Sequence, residues 1–462
     1  MAERFDVVVI GAGPGGFRAA KTCAQRGASV AVVEKEFVGG TCLNWGCIPS
    51  KALLASAHTL LAVKNAAQIG VDVASAAPNW QNIQQRKDAI VAGFRKGMTG
   101  TAKANNIRMI QGRAVVTAPG HMRVESDSKQ TEIEADKIIL ATGSETIPLS
   151  AIPFDGQTII SSKEALSLPE IPRSMLIVGG GVIGCEMACV YAAVGTKVTI
   201  VEALAQLLPM EDEWVGRLIE REFKKLGIAS VTGTKVTSVD RTDAAAKVTL
   251  DNGQAIDAEK VLVCVGRRAV IDKETSEALG LQMNGPAVVI NEKMQTNVAG
   301  IYAIGDLVGT TFLAHGATTE AVVAAANATG GDEKMIDYCL IPRVIFTFPE
   351  VASIGKSEQT CKSEGIDVSV GKGFFKANGR SVAQNDTAGQ IRLVRDSSKN
   401  TIVGVTIVGS LATELITLAR TLIGRGPDEL SQVTFPHPTI CETLEDAVVD
   451  AFGPAFHSSA KA

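Results

Sequence analysis

A chain of 462 residues with 46% hydrophobic and 20% charged residues has room for about three ordinary globular domains. A net charge of −4 and only 4% aromatic residues exclude the basic face and stacking platform of a nucleic-acid binder. Nine cysteines are too few for a secreted disulfide framework, no apolar run reaches membrane-spanning length, and the first strand begins almost at Met1, so a cytoplasmic protein without a leader is expected.

The chain opens on Asp6-Val-Val-Val-Ile-Gly-Ala-Gly-Pro-Gly-Gly16, which reads as a buried parallel strand, a glycine turn and a helix start. Gly11 permits the tight turn, Gly13 lets backbone approach a pyrophosphate, and Gly16 lets the helix pack on the strand. A second apolar strand ends at Glu34, eighteen residues past Gly16, where an acid accepts hydrogen bonds from an adenosine ribose.

The run GGTCLNWGCIPSK follows, with Cys42 and Cys47 five residues apart. On a regular helix that offset is about 7.5 Å of rise, with the side chains on different faces. A disulfide needs Cα atoms roughly 4.4–6.8 Å apart, so bridging the pair requires an irregular turn, which Gly46 and Pro49 permit. A helix is expected to start near Pro49, placing Cys47 beside its N-terminus, where a thiolate is stabilised. Two free thiols on a loop are the plain alternative; beside two nucleotide motifs, a redox-active dithiol is the better reading.

Ile138-Ile-Leu-Ala-Thr-Gly-Ser144 is another strand ending in a glycine turn, expected to mark the end of the first nucleotide domain. The opening pattern then returns as Met175-Leu-Ile-Val-Gly-Gly-Gly-Val-Ile-Gly184, with Gly179, Gly181 and Gly184 in the places of the first three glycines and Glu202 in the place of Glu34. One offset of 168 residues superimposes glycines and acids together, so two dinucleotide sites are expected. The sequence after Glu202, Ala-Leu-Ala-Gln-Leu, holds no arginine for a 2′-phosphate and favours NAD over NADP. Cys185 and Cys189 have a metal-like spacing but lie on the helix after the glycines, where packing residues are expected, and no metal site is expected.

Val261–Arg267 and Ile301–Asp306 are further strands running into glycine turns. Asp306 either binds a cofactor sugar or caps a turn, and His315 follows close enough to lie near the cofactor. From about Asp337 the pattern changes to strands and hairpins, then a helix over Ala412–Ile423, indicating a separate α+β domain. In Phe435-Pro-His-Pro-Thr-Ile-Cys-Glu442 two prolines bracket His437, and Glu442 is placed to fix its tautomer for general acid–base work. His58, His121 and His457 read as structural histidines.

GAGPGG, GGTCLNWGCIPSK, ATGS, GGGVIGCE, AIGD and HPTICE, in this order, resemble the flavin-dependent pyridine nucleotide–disulfide oxidoreductases over essentially the whole chain, and their lipoamide-oxidising members above all. The resemblance implies an α/β protein with two Rossmann-like domains, for FAD and NAD, plus a C-terminal α+β dimerisation domain. The implied limits are 1–149 for the FAD domain, 150–270 for the NAD domain, 271–337 for a central segment completing the FAD domain, and 338–462 for the interface domain of a homodimer. FAD would lie on Gly11, Gly13, Gly16, Glu34, Lys51, Thr142, Gly143, Asp306 (at the ribityl chain) and Ala314. NAD would lie on Gly179, Gly181, Gly184, Glu202 and Gly266. Cys42 would be the interchange thiol and Cys47 the thiol against the flavin, with Lys51 and Glu186 paired beside its ring. His437, oriented by Glu442, would be the acid–base group for the dithiol of the partner subunit.

The implied reaction is oxidation of protein-bound dihydrolipoamide with reduction of NAD+. The partner would be a lipoylated carrier protein, or a lipoyl domain of a 2-oxoacid dehydrogenase or glycine-cleavage complex. Another FAD- and NAD(P)H-dependent disulfide reductase of the family, or a non-catalytic FAD-binding subunit, are the alternatives. Trp45, Pro436 and Cys441 depart from the family pattern.

Overall fold

The computed structural model describes residues 3–126, 129–242 and 245–453, so His457 lies outside the described residues. The chain divides into two compact units, each assembled from three segments. The first comprises 1–52, 82–147 and 266–338; the second comprises 53–81, 148–265 and 339–462.

In the first unit the all-apolar run Val7–Ile10 is buried on both faces, as a central parallel strand must be. Strand Glu3–Ile10 lies between Val30–Glu34 and Lys129–Leu140, parallel to both, with Val8 level with Ala31 and Ile138. Arg108–Gln111 extends one side, and Ile301–Ala303 pairs parallel with Lys129–Leu140. An antiparallel hairpin, Arg113–Ala118 with His121–Ser126, completes the seven strands. Helices Pro14–Gln25 and Ala314–Ala328 cover one face through small side chains, Ala19, Ala20 and Cys23 with Ala321, Ala324 and Ala325.

The second unit repeats the plan with five parallel strands in the order Ala229–Val231, Lys197–Val201, Ser174–Val178, Lys260–Val263, Ile159–Ile160. It also holds a five-stranded antiparallel sheet running Arg343–Ile345, Val351–Gly355, Thr401–Val408, Gln390–Asp396, Val368–Phe374. Helices Ala412–Leu422 and Glu442–Phe452 cover this sheet. The second comes down very close: a Cβ on Gly373 would stand 1.9 Å from the Thr443 carbonyl oxygen, and one on Gly371 2.1 Å from that of Ala447. Glycine at these two positions therefore fixes the height of the helix that begins with Glu442.

Two expectations need correction. The helix after the cysteine pair begins at Cys47, two residues before Pro49, because proline is tolerated within a first helical turn. The run Gly40–Lys64 is also long and apolar enough to cross a membrane by length and composition. The break at Gly46 and the polar side chains of Asn44, Ser50 and Lys51 argue against a lipid environment for it.

Candidate functional site

The two glycine loops are built alike. Gly11 and Gly179 have φ of +102° and +114°, and a Cβ on either would collide with a carbonyl oxygen of the neighbouring strand end, Ala141 or Cys264. A Cβ on Gly16 or Gly184 would strike the carbonyl of its own loop's first glycine. The middle glycines differ: a Cβ on Gly13 or Gly181 would meet no protein atom within 4 Å. Nothing in the chain demands glycine there, whereas a phosphate lying against the backbone would. Gly13 and Gly181 are also the N-caps of their helices, without a side-chain cap, so backbone N–H groups and the positive helix end are left for an anion.

The acids follow the same offset. Glu34 accepts hydrogen bonds from the N–H groups of Ala12 and Glu36, both at 2.8 Å. Glu202 accepts them from Gly180 at 2.6 Å and Leu204 at 2.7 Å. Each carboxylate thus ties the second strand to the glycine loop, and retains lone pairs for a ribose. Glu202 is buried.

The dithiol is attached to the first loop. Gly39 N–H donates to the Ala12 carbonyl at 2.8 Å, and a Cβ on Gly40 would stand 2.8 Å from Gly13 Cα. Helix Gly40–Trp45, which carries Cys42, therefore starts against the loop. Gly46 breaks it, lying so close that its Cβ would stand 3.3 Å from Cys42 Cα, and Cys47 opens the next helix. The two cysteines share no helix; the break folds one back on the other. Both are thiols, Cys42 half-buried and Cys47 exposed. A hydrogen bond to Cys47, together with burial, pushes the Cys42 thiol up, while the Lys51 charge works the other way. Trp45 turns its bulk onto Phe37, ring centroids 6.1 Å apart, and the Arg95 guanidinium covers Phe37 at 4.0 Å.

Asp306 lies on a short 3₁₀ turn, Gly305–Val308, just after strand Ile301–Ala303. Its carboxylate accepts a hydrogen bond from the Ser144 hydroxyl. Arg267 Nε donates to Ser144 Oγ at 2.8 Å and its Nη2 to the Ser144 carbonyl at 2.7 Å. Burial lowers the pKa of Arg267, against the pull of Asp306 and Cys47. A half-buried cation thus stands near both the dithiol and the turn. Thr142 donates to the Val270 carbonyl at 2.5 Å, and Val270 N–H donates to Gly143 at 3.0 Å, so the ATGS turn is strapped to the segment after Gly266. Sequence reasoning did not single out Ser144 or Arg267. An arginine directly after Val-Gly at a strand end was the available signal for the second of these.

In the second unit His437 Nδ1 stands 2.8 Å from Glu442 Oε1, and Glu442 Oε2 accepts the Thr439 N–H at 2.7 Å. The bonds from Thr439 and His437 hold the Glu442 carboxyl below the usual carboxylate range. An ionised carboxylate only accepts, so Nδ1 carries the hydrogen and Nε2 faces outward on a side chain that is 80% exposed. Asn378 donates to the Thr439 carbonyl at 2.9 Å and the Thr439 hydroxyl to that of Pro436 at 2.7 Å, fixing the loop. Cys441 Sγ contacts Thr439 Oγ1 at 2.8 Å. Glu186 is buried and accepts the Phe346 N–H at 3.0 Å. Ala314 opens helix Ala314–Ala328, and the carbonyl of His315 accepts the hydroxyls of Thr318 and Thr319. His58 packs on Phe348, ring centroids 5.6 Å apart, and His121 is exposed on a strand.

Known proteins share this organisation. The pyridine nucleotide-disulphide oxidoreductase profile matches residues 5–328, and the dimerisation domain of the same family matches 341–448. Dihydrolipoyl dehydrogenase of Bacillus subtilis (strain 168) is 38% identical over 98% of this chain and 100% of its own length. That of Geobacillus stearothermophilus is 37% identical over 98% and 97%. Among solved structures, the HOCl-induced flavoprotein disulfide reductase RclA from Escherichia coli superposes with a TM-score of 0.85 at 26% identity, covering 96% of this chain and 99% of its own. LpdA from Mycobacterium tuberculosis, at 24% identity, shares the fold with a TM-score of 0.89 over 97% and 99%. With two matched glycine loops, a dithiol fastened to the first, and full-length relatives at this identity, the chain belongs to the pyridine nucleotide-disulphide oxidoreductase family.

Proposed function

We propose that this protein is an NAD-dependent dihydrolipoyl dehydrogenase, a homodimer that oxidises a dihydrolipoyl group carried on a partner protein in the cytoplasm. The cofactors are FAD on Gly11, Gly13 and Gly16, with Glu34 at its ribose, and NAD on Gly179, Gly181 and Gly184, with Glu202 at its ribose. The observation that supports the reading best is the hydrogen-bonded Cys42–Cys47 pair beginning directly against the first glycine loop. Lys51, Thr142, Gly143, Asp306 and Ala314 would complete the flavin site.

Turnover starts from the Cys42–Cys47 disulfide. A substrate thiol gives its proton to Nε2 of His437 of the partner subunit, and the thiolate attacks Cys42 Sγ. The Cys42–Cys47 bond breaks and Cys47 leaves as thiolate, stabilised by the helix N-terminus and by Arg267. The second substrate thiol attacks the substrate sulfur of the mixed disulfide, its proton passes to Cys42, and the lipoyl disulfide closes. Two electrons then reside in a Cys42 thiol and a Cys47 thiolate, the protonation order favoured by the raised Cys42 pKa. FAD, held on Gly11, Gly13 and Gly16, would supply the two-electron chemistry that links this dithiol to NAD+. As the disulfide re-forms, the Cys42 proton leaves with the electron pair as the hydrogen of NADH, and His437 of the partner subunit releases the other substrate proton to solvent, one H+ per NADH.

Steady-state oxidation of dihydrolipoamide with NAD+ and with NADP+ tests the proposal. A 2′-phosphate about 4 Å from Glu202 would meet like charge worth about 4 kcal/mol at an effective dielectric near 20. A kcat/KM preference for NAD+ on the order of 10²–10³ is expected. Parity between the cofactors would overturn the nucleotide choice. Absence of lipoamide-dependent NADH formation from FAD-loaded protein would favour a different disulfide substrate or a non-catalytic role.

A further inference from the structure

Behind the Gly305–Asp306 turn lies a carboxyl that the mechanism above does not use. Glu320, on helix Ala314–Ala328, is 1% exposed amid alanines that pack this helix on its neighbours. An apolar or small residue would satisfy such a position without the cost of burying a carboxyl. Glu320 instead engages two donors: Oε2 accepts the Gly305 N–H at 2.5 Å and Oε1 the Tyr338 hydroxyl at 2.8 Å. Gly305 has φ of +73°, so the chain leaves strand Ile301–Ala303 through a sharp reversal, and Glu320 satisfies the N–H at that reversal. Asp306 comes next, its side chain held from the other side by Ser144, which Arg267 holds in turn. Burial, with the Asp306 charge adding to it, pushes the Glu320 carboxyl up to about 7. Keeping two carboxyls this close is unfavourable, and the arrangement makes sense where the direction of Asp306 matters.

We infer that Glu320 is a positioning residue for FAD: it grips the backbone of the Gly305–Asp306 turn from beneath and so aims the Asp306 carboxylate at the cofactor. This rests on the reading of Asp306 as a ribityl ligand. Its effect passes through the backbone hydrogen bond from Gly305.

The test measures FAD affinity and the visible flavin spectrum of the full-length protein, independent of turnover. Glu320→Ala is expected to weaken FAD binding about tenfold or more, the usual loss for a buried bond to a charged group, and to alter the flavin absorption envelope. Glu320→Gln should restore affinity to within about threefold, because the amide oxygen still accepts from Gly305 and the Tyr338 hydroxyl can turn to accept from the amide. Glu320→Asp, one methylene shorter, keeps the charge but withdraws it from Gly305; it should bind FAD as poorly as the alanine variant, and it serves where alanine impairs folding. Asp306→Ala is the control for the underlying reading. Wild-type affinity and spectrum in both Glu320→Ala and Glu320→Asp, with FAD binding weakened in Asp306→Ala, would overturn the inference alone. Unchanged FAD binding in Asp306→Ala would overturn the reading of Asp306 and the inference with it.

Discussion

Serine at Cys42 and serine at Cys47 should each abolish lipoamide turnover, and the two variants should look different in the spectrometer. The hydrogen bond between the thiols and the burial of Cys42 raise its pKa. Cys47 sits at the first residue of its helix, with Arg267 near, so it is the sulfur that carries charge. Cys42→Ser leaves that thiolate in place, and the FAD-loaded variant should show the long-wavelength absorbance of a thiolate against the flavin. Cys47→Ser removes it, and the band should vanish. Loss of the band in Cys42→Ser with retention in Cys47→Ser would mean that the two sulfurs exchange roles.

His437→Gln should lower turnover by about 10²–10⁴, the usual contribution of a positioned acid–base group. FAD content and dimerisation should be unchanged, because Glu442 still accepts the Thr439 N–H and the loop keeps its Asn378 anchor. The dithiol and His437 belong to different compact units, and a two-fold interface would form two shared sites at once. Mixing His437→Gln subunits with Cys42→Ser subunits should therefore recover activity, since each hybrid dimer assembles one site from an intact Cys42 and an intact His437. Verified subunit exchange with no recovered activity would place base and dithiol in the same chain.

The sequence announced those parts whose chemistry is local. The 168-residue repeat was legible because each glycine answers a local requirement, and the structure repeats even the paired N–H bonds to Glu34 and Glu202. His437 and Glu442 were legible because five residues separate them in one rigid loop. Ser144, Asp306 and Arg267 were not readable as a set. Ser144 meets Asp306 across 162 residues and Arg267 across 123, on strand ends that only the folded sheets bring together. Glu320 was hidden for another reason: on an alanine-rich helix it looks like any surface glutamate, and only the reversal at Gly305 turns it into a buried acceptor. The helix starts at Cys47 rather than near Pro49 because Gly46 supplies the break and a proline fits within the first helical turn.

Anaerobic addition of dihydrolipoamide to the FAD-loaded protein tests the central relay most directly. One equivalent per FAD should expose two new titratable thiols, Cys42 and Cys47, and raise long-wavelength absorbance. Subsequent NAD+ should discharge the electrons as one NADH per FAD, with the thiols lost again. Reduction of the flavin without new thiols, or a reduced dithiol that NAD+ cannot reoxidise, would contradict the account.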